Sequence, residues 1–254
     1  MHTLTVDAMS VQVHDTDADL AAAAAAEAAA TIVAAVAERA VANVMFATGN
    51  SQLGFLDVLT ARDDVPWDQV VGFHMDEYRG ISPEHPASFR RYLRERIVEQ
   101  VHPRGFHFIA GDAADADAEC RRYAALLAAH PLDLCCLGIG ENGHLAFNDP
   151  PVADFDDPLD VKVVALDAAC RNQQVGEGHF ATVDDVPAEA ITVTIPALLR
   201  AGRVLANVPE ARKRTPVQMA LTGPVTTACP ASILRTRANV TLHLDRESGG
   251  DVAR

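Results

Sequence analysis

The sequence predicts an α/β fold: an open, mainly parallel sheet with helices on both faces, Rossmann-like in outline. Three observations carry that expectation. Val- and Ile-rich runs alternate with alanine-rich or amphipathic stretches along the whole chain, the order written by strand–helix–strand proteins. The run 132–137, between Pro131 and Gly138, is apolar without alternation, as a strand buried on both faces must be. Hydrophobic residues make up 49% of the chain but aromatics only 5%, so Ala and Val do the packing and helices can lie close on a sheet.

Each element follows from its local pattern. Val11 and Val13 alternate with polar neighbours, a short strand. Asp17 and Asp19 precede an alanine-rich stretch that reads as a helix to about Arg39, the acids suiting the positive end of its dipole. Residues 41–47 are β-prone and end in Thr48-Gly49-Asn50-Ser51, with a helix over 52–60 after them. A strand over 69–73 and helices over 88–100 and 113–129 come next. Beyond the buried run at 132–137, strands are expected at 161–165, 191–194, 203–208 and 240–244, with a helix over 210–221 between the last two. No repeat, low-complexity linker or compositional break appears, so one domain is expected over 1–254. The segment 149–158, DPPVADFDDP, is a loop, either a lid or an ordinary surface loop.

Composition excludes several classes of function. A net charge of −14 argues against nucleic acid, whose phosphates attract Lys and Arg. The cysteines Cys120, Cys135, Cys136, Cys170 and Cys229 are odd in number and form no CxxC pair. A disulfide framework or zinc site is therefore not expected, which suits a reducing cytoplasm. Residues 21–37 are apolar, but Glu27 interrupts them and alanine dominates. They read as a packed helix rather than a membrane span, and no signal peptide is expected at the N-terminus.

Three polar clusters fall at expected strand ends, where parallel sheets bind their ligands. Thr48-Gly49-Asn50-Ser51 offers free backbone N–H groups and two hydroxyls before a helix, the parts of a phosphate cradle; alone, such a turn reads first as helix capping. Asp76 and Glu77 follow a strand within MDEYRGISPEHPASF; as a general base, one of them needs a proton within hydrogen-bond reach. The third cluster is GIGENGHLAFNDP. Its glycines let the backbone approach a ligand. His144 can move protons near neutral pH, and Asn142 and Asp149 can orient it.

The strings MDEYRGISPEHPASF and LGIGENGHLAFNDP resemble the two signature stretches of the glucosamine-6-phosphate deaminase/isomerase family. AITVTIPALLRAGRVLANVPEARK resembles a later stretch of that family, and the likeness runs over about 41–244. A more distant resemblance, through the Gly-x-Gly-x-x-Gly-His stretch, is to 6-phosphogluconolactonase. The resemblance implies a fold of the sugar-phosphate isomerase type and conversion of an amino-sugar 6-phosphate and water to a ketose 6-phosphate and ammonia, without cofactor. It implies that Asp76 moves a proton between C2 and C1, and that His144 opens the sugar ring with Asn142 and Asp149 holding its imidazole. Thr48, Gly49, Asn50, Ser51 and Lys213 are implied at the phosphate, and Glu77 and Gly143 are expected beside the substrate.

The sequence departs from the family in places. Asn142 stands where an acid is often found, and Asp149 where a glutamate is usual, one methylene shorter. The family's phosphate-contacting arginine has no clean match; in CRNQQVGEGHFATVDDVP only Arg171 is near. The region after Asp149 is acidic and prolyl and lacks the basic pair of some members' allosteric site, so no small-molecule activator is expected. The expected partner is a sugar phosphate, not nucleic acid or membrane; a homo-oligomer stays open. Two other readings stand beside this one. A lactone hydrolase would use His144 to activate water. A sugar-phosphate sensor would need neither Asp76 nor His144.

Overall fold

The computed structural model describes residues 1–250, so the last four positions of the expected domain lie outside the described residues. The strands are β1 (His2–Val6), β2 (Met9–His14), β3 (Ala42–Phe46), β4 (Val70–His74), β5 (Asp76–Tyr78), β6 (Gly105–His107), β7 (Leu134–Leu137), β8 (Val161–Ala165), β9 (Glu189–Val193), β10 (Arg203–Val208) and β11 (Val240–Asp245). Eight of them form one sheet in the order β1-β2-β11-β10-β7-β3-β4-β6. Every pairing in it is parallel except β1 with β2. From β3 the chain runs outward to β4; from the far side of β7 it builds β10 and β11. The strand order therefore reverses between β3 and β7, which opens a crevice at their carboxyl ends.

The long first helix shows how the sequence writes its own element. Thr16 caps it by accepting from Asp19 N at 3.1 Å, and Ala40 ends it in the left-handed conformation. Leu20, Ala24, Ala28, Ile32 and Ala35 make the buried stripe, spaced for one helical face. By length and composition this helix could cross a membrane; here its small-residue face lies on the sheet. Glu27, expected only to interrupt the apolar run, reaches through to pair with Arg203. It also accepts from Thr241 Oγ1 at 2.9 Å and faces His243 Nε2 at 3.3 Å.

Some elements depart from the sequence expectation. The strands at 161–165 and 191–194 do not join the parallel sheet. They are β8 and β9 of a second, antiparallel sheet in the order β5-β9-β8. The acids of MDEY, expected at the end of the preceding strand, lie in a strand of their own, β5, whose three residues are too few to show a strand period. The helix expected over 88–100 is α-helical at Phe89–Leu93, widens into a π-helical turn at Arg94–Val98 and returns to α-helix at Glu99–Val101. An unexpected helix, Ala168–Gly176, is capped by Asp167, which accepts from Cys170 N at 2.6 Å. The segment 149–158 lines no part of the central cleft. All five cysteines are free and buried.

The Glu27 pair can be tested in solution. Burial opposes the Glu27 charge, but His243, Arg203 and Thr241 hold the carboxyl down to about 2. Its contribution is full above the unfolded value near 4.3 and is lost as pH falls toward 2. Glu27→Ala should cost roughly 1–3 kcal/mol, less than a fully buried pair because both partners are partly exposed. Denaturant unfolding should show that deficit constant from about pH 8 to 5 and shrinking below about 4.3.

Candidate active site

A cleft lies over the crevice, lined from the ends of β3, β4, β7 and β10. The turn after β3 contributes Thr48, Gly49 and Ser51. Gly49 has φ 97°, a conformation that disfavours a side chain. Gln52 Nε2 ties this turn to the sheet, donating to Asn207 O at 3.2 Å and Ser51 Oγ at 3.1 Å. Tyr92 OH donates to Gly49 O at 3.0 Å. Asn50 does not line the cleft; its amide reaches Glu177 O at 3.4 Å.

Asp76 enters the cleft where β4 passes into β5. His74, fully buried, accepts from Ile109 N at 2.6 Å, and burial pushes it down to about 3, so it stays neutral. Met75 O accepts from Val193 N at 2.7 Å, which fixes the step between the two sheets. Asp76 is only 7% exposed. Burial, then the nearby charges of Glu77 and Asp149, push its carboxyl well above the usual range. Glu77 faces the other way and lies outside the cleft lining, contrary to the expectation that it meets substrate. Its carboxylate accepts from Ser88 Oγ at 2.8 Å and from the backbone of Tyr78, Phe89 and Arg90 at 2.9–3.1 Å. It therefore caps the helix at Phe89, which explains why HPASF follows DEY at a distance.

The loop after β7 is built around His144. His144 Nδ1 lies 2.8 Å from Asp149 Oδ1, which also accepts from Asn142 Nδ2 at 2.9 Å. Asn142 Oδ1 accepts from the backbone N of His144 at 3.0 Å. Asn142 thus fixes both partners of the pair. Burial opposes the charge of Asp149, but the bonds from His144, Asn142 and Cys170 hold its carboxyl below the ordinary value. With Nδ1 engaged, Nε2 is the ring nitrogen left for chemistry. The ring lies over Gly140, where a Cβ would come within 2.2 Å of it. Gly143 sits behind, at φ 84° against Cys229, and does not line the cleft. Among the described residues, His144, Asp149 and Cys170 form the one trio close enough to hold a metal. The donor chemistry does not suit one: Nδ1 is engaged by Asp149, and burial keeps the Cys170 thiol protonated.

Lys213 closes the far end. It is 3% exposed, and burial lowers its pKa while Glu177 opposes that shift. Arg171 is not there. Its guanidinium bonds the carbonyls of Val183 and Val186 and fastens the loop after its own helix. The cleft instead receives Gln173, Gln174 and Glu177 from the Ala168–Gly176 helix and its end, with Phe89 and Phe147 as an aromatic wall. Tyr78 OH donates to Gln174 Oε1 at 2.5 Å. Sequence reasoning missed these residues. The available signal was Gln-Gln-Val-Gly-Glu-Gly, a polar run with a glycine-bracketed acid, much like the Gly-Glu-Asn-Gly of the third cluster.

The profile described as glucosamine-6-phosphate isomerases/6-phosphogluconolactonase matches residues 15–243. A glucosamine-6-phosphate deaminase of Exiguobacterium sibiricum is 35% identical over 202 residues, 80% of this chain and 78% of its own. One from Halothermothrix orenii is 33% identical over 208 residues, covering 80% and 84%. Among solved structures, a monomeric glucosamine-6-phosphate deaminase superposes with a TM-score of 0.86 at 30% identity, covering 96% of this chain and 99% of its own. A 6-phosphogluconolactonase from Shewanella baltica reaches a TM-score of 0.76 at 19% identity, covering 95% and 97%, a likeness of fold alone.

Gly140→Ala tests the seat of the imidazole. The variant should fold, but the methyl must displace the ring from its present seat beside Asp149. The His144 ring-nitrogen NMR signals should then lose the Nδ1 hydrogen-bond shift. Unchanged signals would show that the ring does not depend on the bare glycine.

Proposed function

We propose that this chain, which belongs to the glucosamine-6-phosphate isomerase/6-phosphogluconolactonase family, converts glucosamine 6-phosphate and water into fructose 6-phosphate and ammonia. One observation carries the reading. Two proton-transfer groups line one cleft: a buried carboxyl pushed upward, Asp76, and an imidazole held through Nδ1 by Asp149. An aldose–ketose shift asks for one carboxylate base and one ring-opening acid, and this cleft supplies both.

The steps follow from those positions. His144 carries a proton from the C1 hydroxyl to the ring oxygen through Nε2, which opens the pyranose. An open chain is needed because C2 of the closed ring has no neighbouring carbonyl to acidify its proton. Asp76 then takes the C2 proton and returns it at C1. The electron pair moves through an enolamine: O1 gains a proton as the C1 carbonyl becomes a hydroxyl, the amino group gives one up, and the imine left at C2 is converted by water to a ketone and ammonia. The upward shift of Asp76 makes it a stronger base than a solvated carboxylate. Asn142 and Asp149 position the imidazole. Lys213 and the Thr48–Gly49–Ser51 turn hold the phosphate, and the free, buried cysteines fit the cytoplasm as its place.

Ammonia release from glucosamine 6-phosphate tests the reading. Acid release without ammonia from a sugar lactone would mark a lactonase, and binding without turnover a sensor. Asp76→Asn should keep its melting temperature and lose at least about a hundredfold in kcat; near-normal turnover would refute its role. In the wild type, the acid limb of kcat/KM should lie above about pH 4, because Asp76 must be ionised and its pKa is raised. Lys213→Ala should raise KM for the phosphorylated sugar far more than for glucosamine itself.

A further inference from the structure

A sugar phosphate brings negative charge to the Lys213 end of the cleft, and that end already holds an anion. The Glu177 carboxylate lines the cleft, with its side chain 6% exposed. It accepts from Gln173 Nε2 and Arg212 Nη1 at 2.9 Å each, and faces His179 Nε2 at 3.3 Å. Its Oε2 lies against the turn after β3: a Cβ on Gly49 would stand 3.8 Å from it. Burial opposes the charge, but His179, Gln173, Arg212 and Lys213 hold the carboxyl down to about 2, so it is ionised at neutral pH. Lys213, also buried, has no carboxylate oxygen within 4.0 Å among the described residues. One carboxylate thus sits between Gly49 and Arg212, beside the cleft-lining Lys213; Arg212 stands behind it, its Nε donating to Glu210 Oε2 at 2.6 Å.

We propose that Glu177 is a built-in anion holding the place of the substrate's phosphate. In the empty cleft it shares Arg212 with Glu210 and Glu141 and offsets the charge of Lys213 without touching it; the incoming phosphate displaces it and takes its place beside both cations. This rests on reading the cleft as a sugar-phosphate site. The backbone suits an exchange. Glu177 lies between Gly176 and Gly178, and a Cβ on either glycine would meet nothing within 4 Å. Gly178 has φ 82°, so it serves the turn, and the space beside both glycines is open. The flanks are fastened independently, by the Asp167 cap and by Arg171 on the Val183 and Val186 carbonyls. The side chain can swing out without unravelling its helix. Only a ligand group able to outbid a carboxylate for two cations opens this end, so an unphosphorylated sugar finds it closed. Arg212 then serves as the guanidinium that Arg171 does not provide.

Titration calorimetry with inorganic phosphate tests the exchange, using the wild type, Glu177→Gln and Lys213→Ala. Glu177→Gln should bind phosphate at least about tenfold more tightly than the wild type, a ratio equal to 1.4 kcal/mol. Its affinity for unphosphorylated glucosamine should not change. Unchanged or weaker phosphate binding by Glu177→Gln would overturn the proposal. A wild-type crystal soaked in phosphate gives a second test that needs no variant. The phosphate should contact Lys213 and Arg212 with Glu177 turned away; a bound phosphate beside an intact Arg212–Glu177 pair would also overturn it. Normal ammonia release with no tightening in Glu177→Gln would refute this exchange alone. Absence of both ammonia release and phosphate binding would refute the sugar-phosphate reading beneath it.

Discussion

Asp76, Glu77 and Asp149 are buried close together where the parallel strands end, and buried carboxylates are costly unless each is answered. The structure answers them in three ways. Glu77 receives three backbone N–H groups and a hydroxyl at the start of the helix at Phe89. Asp149 receives His144 and Asn142 and is held below its ordinary value. Asp76 receives no such partner; burial and its two acidic neighbours push it upward. The same low-dielectric crevice thus holds two hydrogen-bonded carboxyls, of which Glu77 is still raised by burial and Asp149 is lowered, and one unpartnered carboxyl pushed well above its usual range; the difference is made by neighbours rather than by residue type.

The second sheet makes that division possible. β5 pairs with β9, so Asp76 is set by a ladder, opposite Thr192. The loop carrying His144 is pinned to that strand as well. Asn148 Nδ2 donates to Val193 O at 2.9 Å and Leu145 O at 2.8 Å, and Phe147 N donates to Thr192 Oγ1 at 3.1 Å. Base and imidazole therefore share one small frame beside the main sheet, which keeps their relation fixed. Tyr78, Phe89, Phe147 and Phe180 pack into a satellite core beneath it.

The opposite end of the cleft follows different physics. Lys213 and Arg212 are cations near a buried surface, and like charges there need a counter-ion. For Arg212, Glu177, Glu210 and Glu141 provide it from within the chain. On the exchange proposed above, charge balance and recognition of a charged ligand draw on the same groups, which would tie the state of the Ala168–Gly176 helix to what the cleft holds.

Much of this was legible in the sequence, for a physical reason. The main parallel strands and the first helix announce themselves through period and caps, which are local. The turn at Thr48–Ser51, Asp76, His144 and Lys213 sit at strand ends, so chain order alone brings them near one crevice. What only the tertiary structure decided was direction and partner. Adjacent acids in MDEY face opposite ways, Asp76 into the cleft and Glu77 into a helix start. Arg171, the basic residue nearest the expected place, fastens a loop instead, while the cation beside Lys213 is Arg212. The second sheet escaped notice because three residues are too few to show a period. Glu177 escaped because a carboxylate's role depends on which cations fold against it, and those lie 35 and 36 positions away in the chain.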